Sequence, residues 1–147
     1  LMELFKSVFK RQLDYIPREW GKDATPEEKM RVLISYYIRS YLQDSPKRSK
    51  VLFVLIDYLS HKKYRYDKSS FIGNKFYTAY KKELRSVIEE GIRSGVFRTV
   101  NVGLMITTIT MLIDGLRFQM FLFPEKISAK KMNASIVDMV LAYLKGH

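Results

Sequence analysis

There is no cysteine in the 147 residues, which excludes disulfides, thiolate metal sites and cysteine nucleophiles together and suits a reducing compartment. Histidine is nearly as scarce. His61 and the terminal His147 lie far apart in sequence, so a histidine-rich metal centre is not expected. The four prolines, Pro17, Pro26, Pro46 and Pro124, stand where helical patterns begin or end rather than inside them. No apolar run is long. The longest, Leu104 to Ile113, contains three threonines and is followed by Asp114 and Arg117, well short of the roughly 18 to 20 residues of a membrane span. Glu3, Lys6, Lys10 and Arg11 interrupt the opening stretch, so it does not read as a secretory signal. A soluble, cytoplasmic protein that does not engage a membrane is the expectation. Catalytic signatures are also wanting: there is no nucleophile elbow, no phosphate-cradling glycine loop and no metal-ligand spacing. No catalytic residue, no metal and no cofactor is therefore assigned, and the chain is not expected to be an enzyme.

What is present is material for a core. Apolar residues make up 47% and aromatics 14%, ample for one domain spanning 1–147. Twenty-six Lys and Arg against 15 Asp and Glu give a net charge of +11, which favours an anionic partner electrostatically. The charges are spread, however, and no block of five like charges occurs, as on an ordinary solvated surface. The best candidate for a basic module that binds nucleic acid or an anionic surface through charge alone is Lys62, Lys63, Arg65, Lys68, Lys81, Lys82 and Arg85, interleaved with Tyr64 and Tyr66.

Hydrophobic periodicity predicts helices throughout. Residues 1 to 20 place Leu4, Phe5, Val8, Phe9, Leu13 and Ile16 on one helical face, with no capping residue ahead of Leu4, as if the chain were entered within a helix. Thr25-Pro26-Glu27-Glu28 is a helix start with a hydroxyl cap, a harmless proline and an acid placed for a capping box. That helix should run to about Gln43, with Met30, Leu33, Ile34, Tyr37, Ile38 and Tyr41 on one side. Ser45-Pro46 repeats the signal ahead of VLFVLIDYL, read as a helix because no second strand is available to pair with it. From Phe71 to Ser94 the period continues to Gly95, a glycine suited to a left-handed cap. Gly91 within that pattern costs about 1 kcal/mol relative to alanine, so it should permit a bend or a close approach. Thr99 or Asn101 should cap a helix from Val102 to Phe123, and Ser128 should start the last one. The sum is an all-α helical bundle of about six helices.

The stretch from Leu84 to Glu125 carries the most specific pattern. Ile88-Glu89-Glu90-Gly91-Ile92 with Ser94-Gly95-Val96-Phe97, then a polar gap, then a long apolar helix containing Ile113-Asp114-Gly115-Leu116, resembles the C-terminal ligand-binding and dimerisation domain of TetR-family transcriptional regulators. The order of elements agrees over residues 84 to 145. The resemblance implies a TetR C-terminal-domain-like fold, a homodimer and a small-molecule effector. It further implies operator DNA as a partner only through an N-terminal helix-turn-helix domain, which this sequence does not contain. Residues 1–16 would then be the connecting helix to that domain.

Candidate site residues follow from both lines. Largely apolar pockets with a few polar groups hold small molecules between helices, and the expected ligand-binding set is Tyr37, Phe53, Tyr58, Phe76, Tyr80, Met111, Asp114, Arg117 and Phe118. Each of these could equally be core, but buried phenols need hydrogen-bond partners, and so many tyrosines favour a cavity. Asp114 and Arg117, three residues apart, either pair with each other or leave Arg117 to meet an anionic head group. The helix from Val102 has more apolar surface than one chain covers easily, and the last helix has an apolar stripe. The resemblance implies that these two helices meet their symmetry mates in a four-helix bundle. The expected interface is Leu104, Thr108, Leu112, Phe121, Met132, Ile136, Met139, Val140 and Tyr143.

Overall fold

The computed structural model describes residues 20–42 and 72–146, the side chains of 40–42, 72–76 and 121 excepted. Among the described residues there are four helices and no strand: α1 (Pro26–Leu42), α2 (Ile72–Arg93), α3 (Val102–Leu122) and α4 (Ala129–Lys145). The all-α class is as expected, and the ends of these four helices fall within one residue or so of the periodicity. The helices expected over 1–16 and after Pro46 lie outside the described residues. No described helix is long and apolar enough to cross a membrane.

α1, α3 and α4 each begin where a side chain satisfies one of the free amides. Thr25 and Glu28 form the anticipated reciprocal box: the Glu28 amide donates to Thr25 Oγ1 at 3.2 Å and the Thr25 amide to Glu28 Oε2 at 2.7 Å. At α3 the cap is Asn101, whose side chain accepts from the Leu104 amide at 2.9 Å. Ser128 caps α4.

α1 and α3 each pack against the other three helices. Met30, Leu33, Ile34, Tyr37 and Ile38 of α1 are all buried, on the i, i+3, i+4, i+7, i+8 positions that form one face. They meet Tyr80, Leu84, Val87 and Ile88 of α2, Ile109 and Ile113 of α3, and Ile136, Val137, Val140, Leu141 and Leu144 of α4 in a single core. Polar ties fix the register around it. Lys29 of α1 pairs with Glu90 of α2 at 2.8 Å, Ser35 and Asn133 exchange hydrogen bonds between α1 and α4, and Lys145 reaches Glu27 at 2.8 Å.

The turn between α2 and α3 accounts for two glycines. Gly95 has φ of +75°, a left-handed conformation that only glycine adopts without steric cost. Gly91 serves a different purpose, because the ring of Phe97 folds back onto it: a Cβ there would lie 2.0 Å from Phe97 Cδ2. The Phe97 amide completes the contact by donating to the Gly91 carbonyl at 2.9 Å. One residue later, Arg98 clamps the end of α4. Its amide donates to the Leu144 carbonyl at 2.8 Å, its Nε to the Tyr143 carbonyl at 2.7 Å, and its guanidinium lies 3.9 Å from the centre of the Tyr143 ring. A cation is thereby held at the negative end of the helix dipole.

Candidate functional site

Three aromatic side chains from α1 and α2 converge beside the middle of α3. Tyr37 and Tyr80 stack with ring centroids 4.3 Å apart, and Tyr77 meets Tyr37 edge-on at 6.4 Å. The spacing explains the grouping, since Tyr77 and Tyr80 are three residues apart and so share a face of α2. Tyr37 and Tyr80 are fully buried, so their hydroxyls require partners inside the protein. Tyr80 donates to the Leu33 carbonyl of α1 at 3.1 Å, whereas Tyr37 donates to Asp114 Oδ1 at 3.3 Å and Tyr77 to Asp114 Oδ2 at 3.1 Å. Asp114 is thus a shared acceptor for α1 and α2, carried on α3. Arg117, one turn along, places its guanidinium 3.4 Å from the same carboxylate.

The electrostatics keep the Tyr77 phenol protonated. Burial pushes the Tyr77 hydroxyl above its ordinary range, and the Asp114 carboxylate adds to the rise, against opposing effects of Thr110 and Arg117. A neutral phenol donates to the carboxylate, while a phenolate would repel it. The chemistry on offer is therefore a hydrogen-bonding head, one carboxylate and one guanidinium, set against aromatic rings. It is suited to holding a molecule or to holding the helices. Among the described residues no cluster of three or more metal-ligating side chains occurs.

A measurable consequence concerns alkaline pH. The folded Tyr77 value is raised above the unfolded value near 10, so its contribution to stability is complete below about pH 10 and is lost as pH rises through the folded value. The difference in urea unfolding free energy between wild type and Tyr77→Phe should accordingly be level below about pH 10 and shrink above it. A difference independent of pH would show that the two states ionise Tyr77 alike.

The expected ligand set is divided by the structure. Tyr37, Tyr80, Asp114 and Arg117 come together. Met111 and Phe118 do not join them: their side chains are exposed, on the stripe of α3 next to Asp114. Phe53 and Tyr58 lie outside the described residues, and so does the side chain of Phe76 on α2. Tyr77, one of the aromatics that the sequence places toward the central helices, and Thr110 complete the cluster. Spacing from Tyr80 pointed to the first, but nothing local marks Thr110 among the threonines of α3. Of the two alternatives for Arg117, the pair with Asp114 forms.

The expected interface residues are likewise divided. On α3, Leu104 is 65% and Met111 68% exposed, and Thr108, Phe118 and Leu122 continue the same stripe. On α4, Met132, Met139 and Tyr143 are exposed, Met139 at 55%. Leu112 is half-buried at the edge of the core. Ile136 and Val140 are buried in the common core of the subunit rather than exposed, because the apolar stripe of α4 is wide enough to serve two sides. Phe121 has no described side chain. The basic candidates Lys81, Lys82 and Arg85 are exposed on α2, with Lys81 4.4 Å above the Tyr77 ring and Arg85 paired to Glu89. The remaining basic candidates lie outside the described residues.

α3 therefore separates two kinds of surface. One flank presents Asp114 and Arg117 to the tyrosines, and the exposed stripe next to it, three and four residues from Asp114 at Met111 and Phe118, is apolar and without charge. Comparison with models of protein families, with curated proteins and with solved structures found no match for the chain.

Proposed function

We propose that this chain is the effector-binding and dimerisation domain of a TetR-like transcriptional regulator, a repressor that senses a small, largely apolar molecule. The observation that carries the proposal is the juxtaposition on α3 of two surfaces: the Tyr37–Tyr77–Asp114–Arg117 cluster on one flank and, directly beside it, the exposed apolar stripe. One helix can then report occupancy of the cluster to a second subunit. The aromatic surround suits an apolar body, and the carboxylate and guanidinium suit a single polar end.

For signalling, the effector must bind unequally to two arrangements of the dimer, because equal affinity shifts nothing. Displacing the Tyr77 or Tyr37 hydroxyl from Asp114 would release α3 from α2 or α1, which supplies such an inequality. In this proposal operator DNA is contacted through a helix-turn-helix encoded ahead of Leu1. Sedimentation equilibrium tests the association, and the gene sequence upstream of Leu1 tests the family. A dimer at micromolar concentration and an upstream helix-turn-helix are expected. A stable monomer, or a gene lacking that motif, would overturn the proposal.

A further inference from the structure

Gly115 stands in the interior of α3 without a reason inside its own chain. Glycine is the least favourable residue for a helix interior after proline, and such a position is normally explained by a turn, a positive φ or a neighbour too close for a side chain. None of these applies to the described structure. Gly115 lies well inside a continuous helix, its φ is not positive, and a Cβ built on it would meet nothing within 4 Å. Gly91 shows the contrast, with the Phe97 ring occupying the place of its Cβ.

Its position supplies the reason. Gly115 is exposed and shares a face with Leu104, Thr108, Met111, Phe118 and Leu122, at the four- and three-residue spacings of a helical stripe. No lysine or arginine lies on that stripe, although the chain carries a net charge of +11. A charge-free stripe on a strongly basic chain fits a second copy of the same stripe, whereas an acidic partner would call for a basic face.

Building on the dimer proposed above, we infer that Gly115 is the point of closest approach between the α3 helices of two subunits, where the absent side chain lets the backbones cross. Met111 and Phe118, one turn to either side, pack around the crossing. Asp114 is the adjacent residue, so the shared tyrosine acceptor and the crossing point lie on one turn of helix. A change at the carboxylate is thereby transmitted to the partner without passing through the core.

Gly115→Ala separates this role from a structural one because its two effects have opposite signs. Alanine favours the helix but places a methyl group at the crossing. In sedimentation equilibrium the variant should dissociate at least tenfold more readily than wild type, and Gly115→Leu more readily still. In the monomeric Met111→Lys background the same Gly115→Ala change should raise the thermal midpoint, since only helix propensity then acts. Unchanged or tighter association of Gly115→Ala would overturn the inference while leaving a wild-type dimer standing. A lower midpoint in the Met111→Lys background would overturn it too, by showing that the glycine packs against its own chain. A monomeric wild type would remove the dimer itself, and that arm is read before any variant is made.

Discussion

Met111→Lys is expected to leave the subunit folded and to abolish its self-association at micromolar concentration. The side chain is 68% exposed, so the substitution removes little from the subunit core and the helix tolerates lysine as well as methionine. In a two-fold dimer, however, one substitution acts twice. Each lysine enters an apolar face and approaches its symmetry mate, so desolvation and like-charge repulsion add to the lost packing. Loss of a central anchor typically costs 2 kcal/mol or more, and an added charge repulsion brings the expected rise in dissociation constant to at least about a hundredfold. Sedimentation with circular dichroism checks both halves. A dimer that survives the substitution would place the interface elsewhere, and a chain that unfolds would show that Met111 supports the subunit.

Gly91→Ala should be the most damaging single-methyl change among the described residues. The added Cβ would lie 2.0 Å from Cδ2 and 2.5 Å from Cε2 of Phe97. That ring is buried in the common core, so it cannot swing into solvent as a long surface side chain would. Either the ring leaves its place or the turn carrying Arg98 away from α2 must shift. Overpacking of this kind costs about 1 to 3 kcal/mol, and the propensity gained by alanine offsets only part of it. A net loss of about 1 kcal/mol in urea unfolding is expected, where an unobstructed glycine-to-alanine change in a helix would have gained stability. Because the clash is with one ring, Gly91→Ala combined with Phe97→Ala should be less destabilised than the sum of the two single changes. Strict additivity would mean that Phe97 is not what excludes a side chain at Gly91.

These two glycines and Gly115 illustrate how much could be read before the structure. Gly95 was recognisable, since a glycine directly after a helical period that ends in Ser94 signals a left-handed cap, and its φ is +75°. Gly91 was recognisable only as a weak point in a good helix. Which residue fills the space beside it depends on the path of the chain six residues later, and periodicity does not report that path. Gly115 belongs to the pattern that carries the family resemblance, and the sequence does not disclose that the space beside it is empty within its own subunit.

The tyrosines divide in the same manner. Their number implied that buried hydroxyls need acceptors, and Asp114 was the one acid on the most apolar helix. That Tyr37 and Tyr77 share this acceptor while Tyr80 turns to the Leu33 carbonyl is decided by the crossing of α1, α2 and α3. Met111 and Phe118 were grouped with the tyrosines on composition alone, yet they face outwards, because a helix apolar nearly all round does not reveal which side the rest of the chain covers.

The sequence by itself determined the helices, their caps and the absence of a cysteine-based or histidine-rich site, because these follow from local periodicity, side-chain hydrogen bonds near chain neighbours and residue type. Only the tertiary structure decided which face of α3 is core, which carboxylate the tyrosines share and where Arg98 clamps α4. Those contacts join residues tens of positions apart, as in the bond from Tyr37 to Asp114 and that from Arg98 to the Tyr143 carbonyl. They arise from the angle and register at which helices pack, and in a chain with apolar residues on several faces many registers bury similar area.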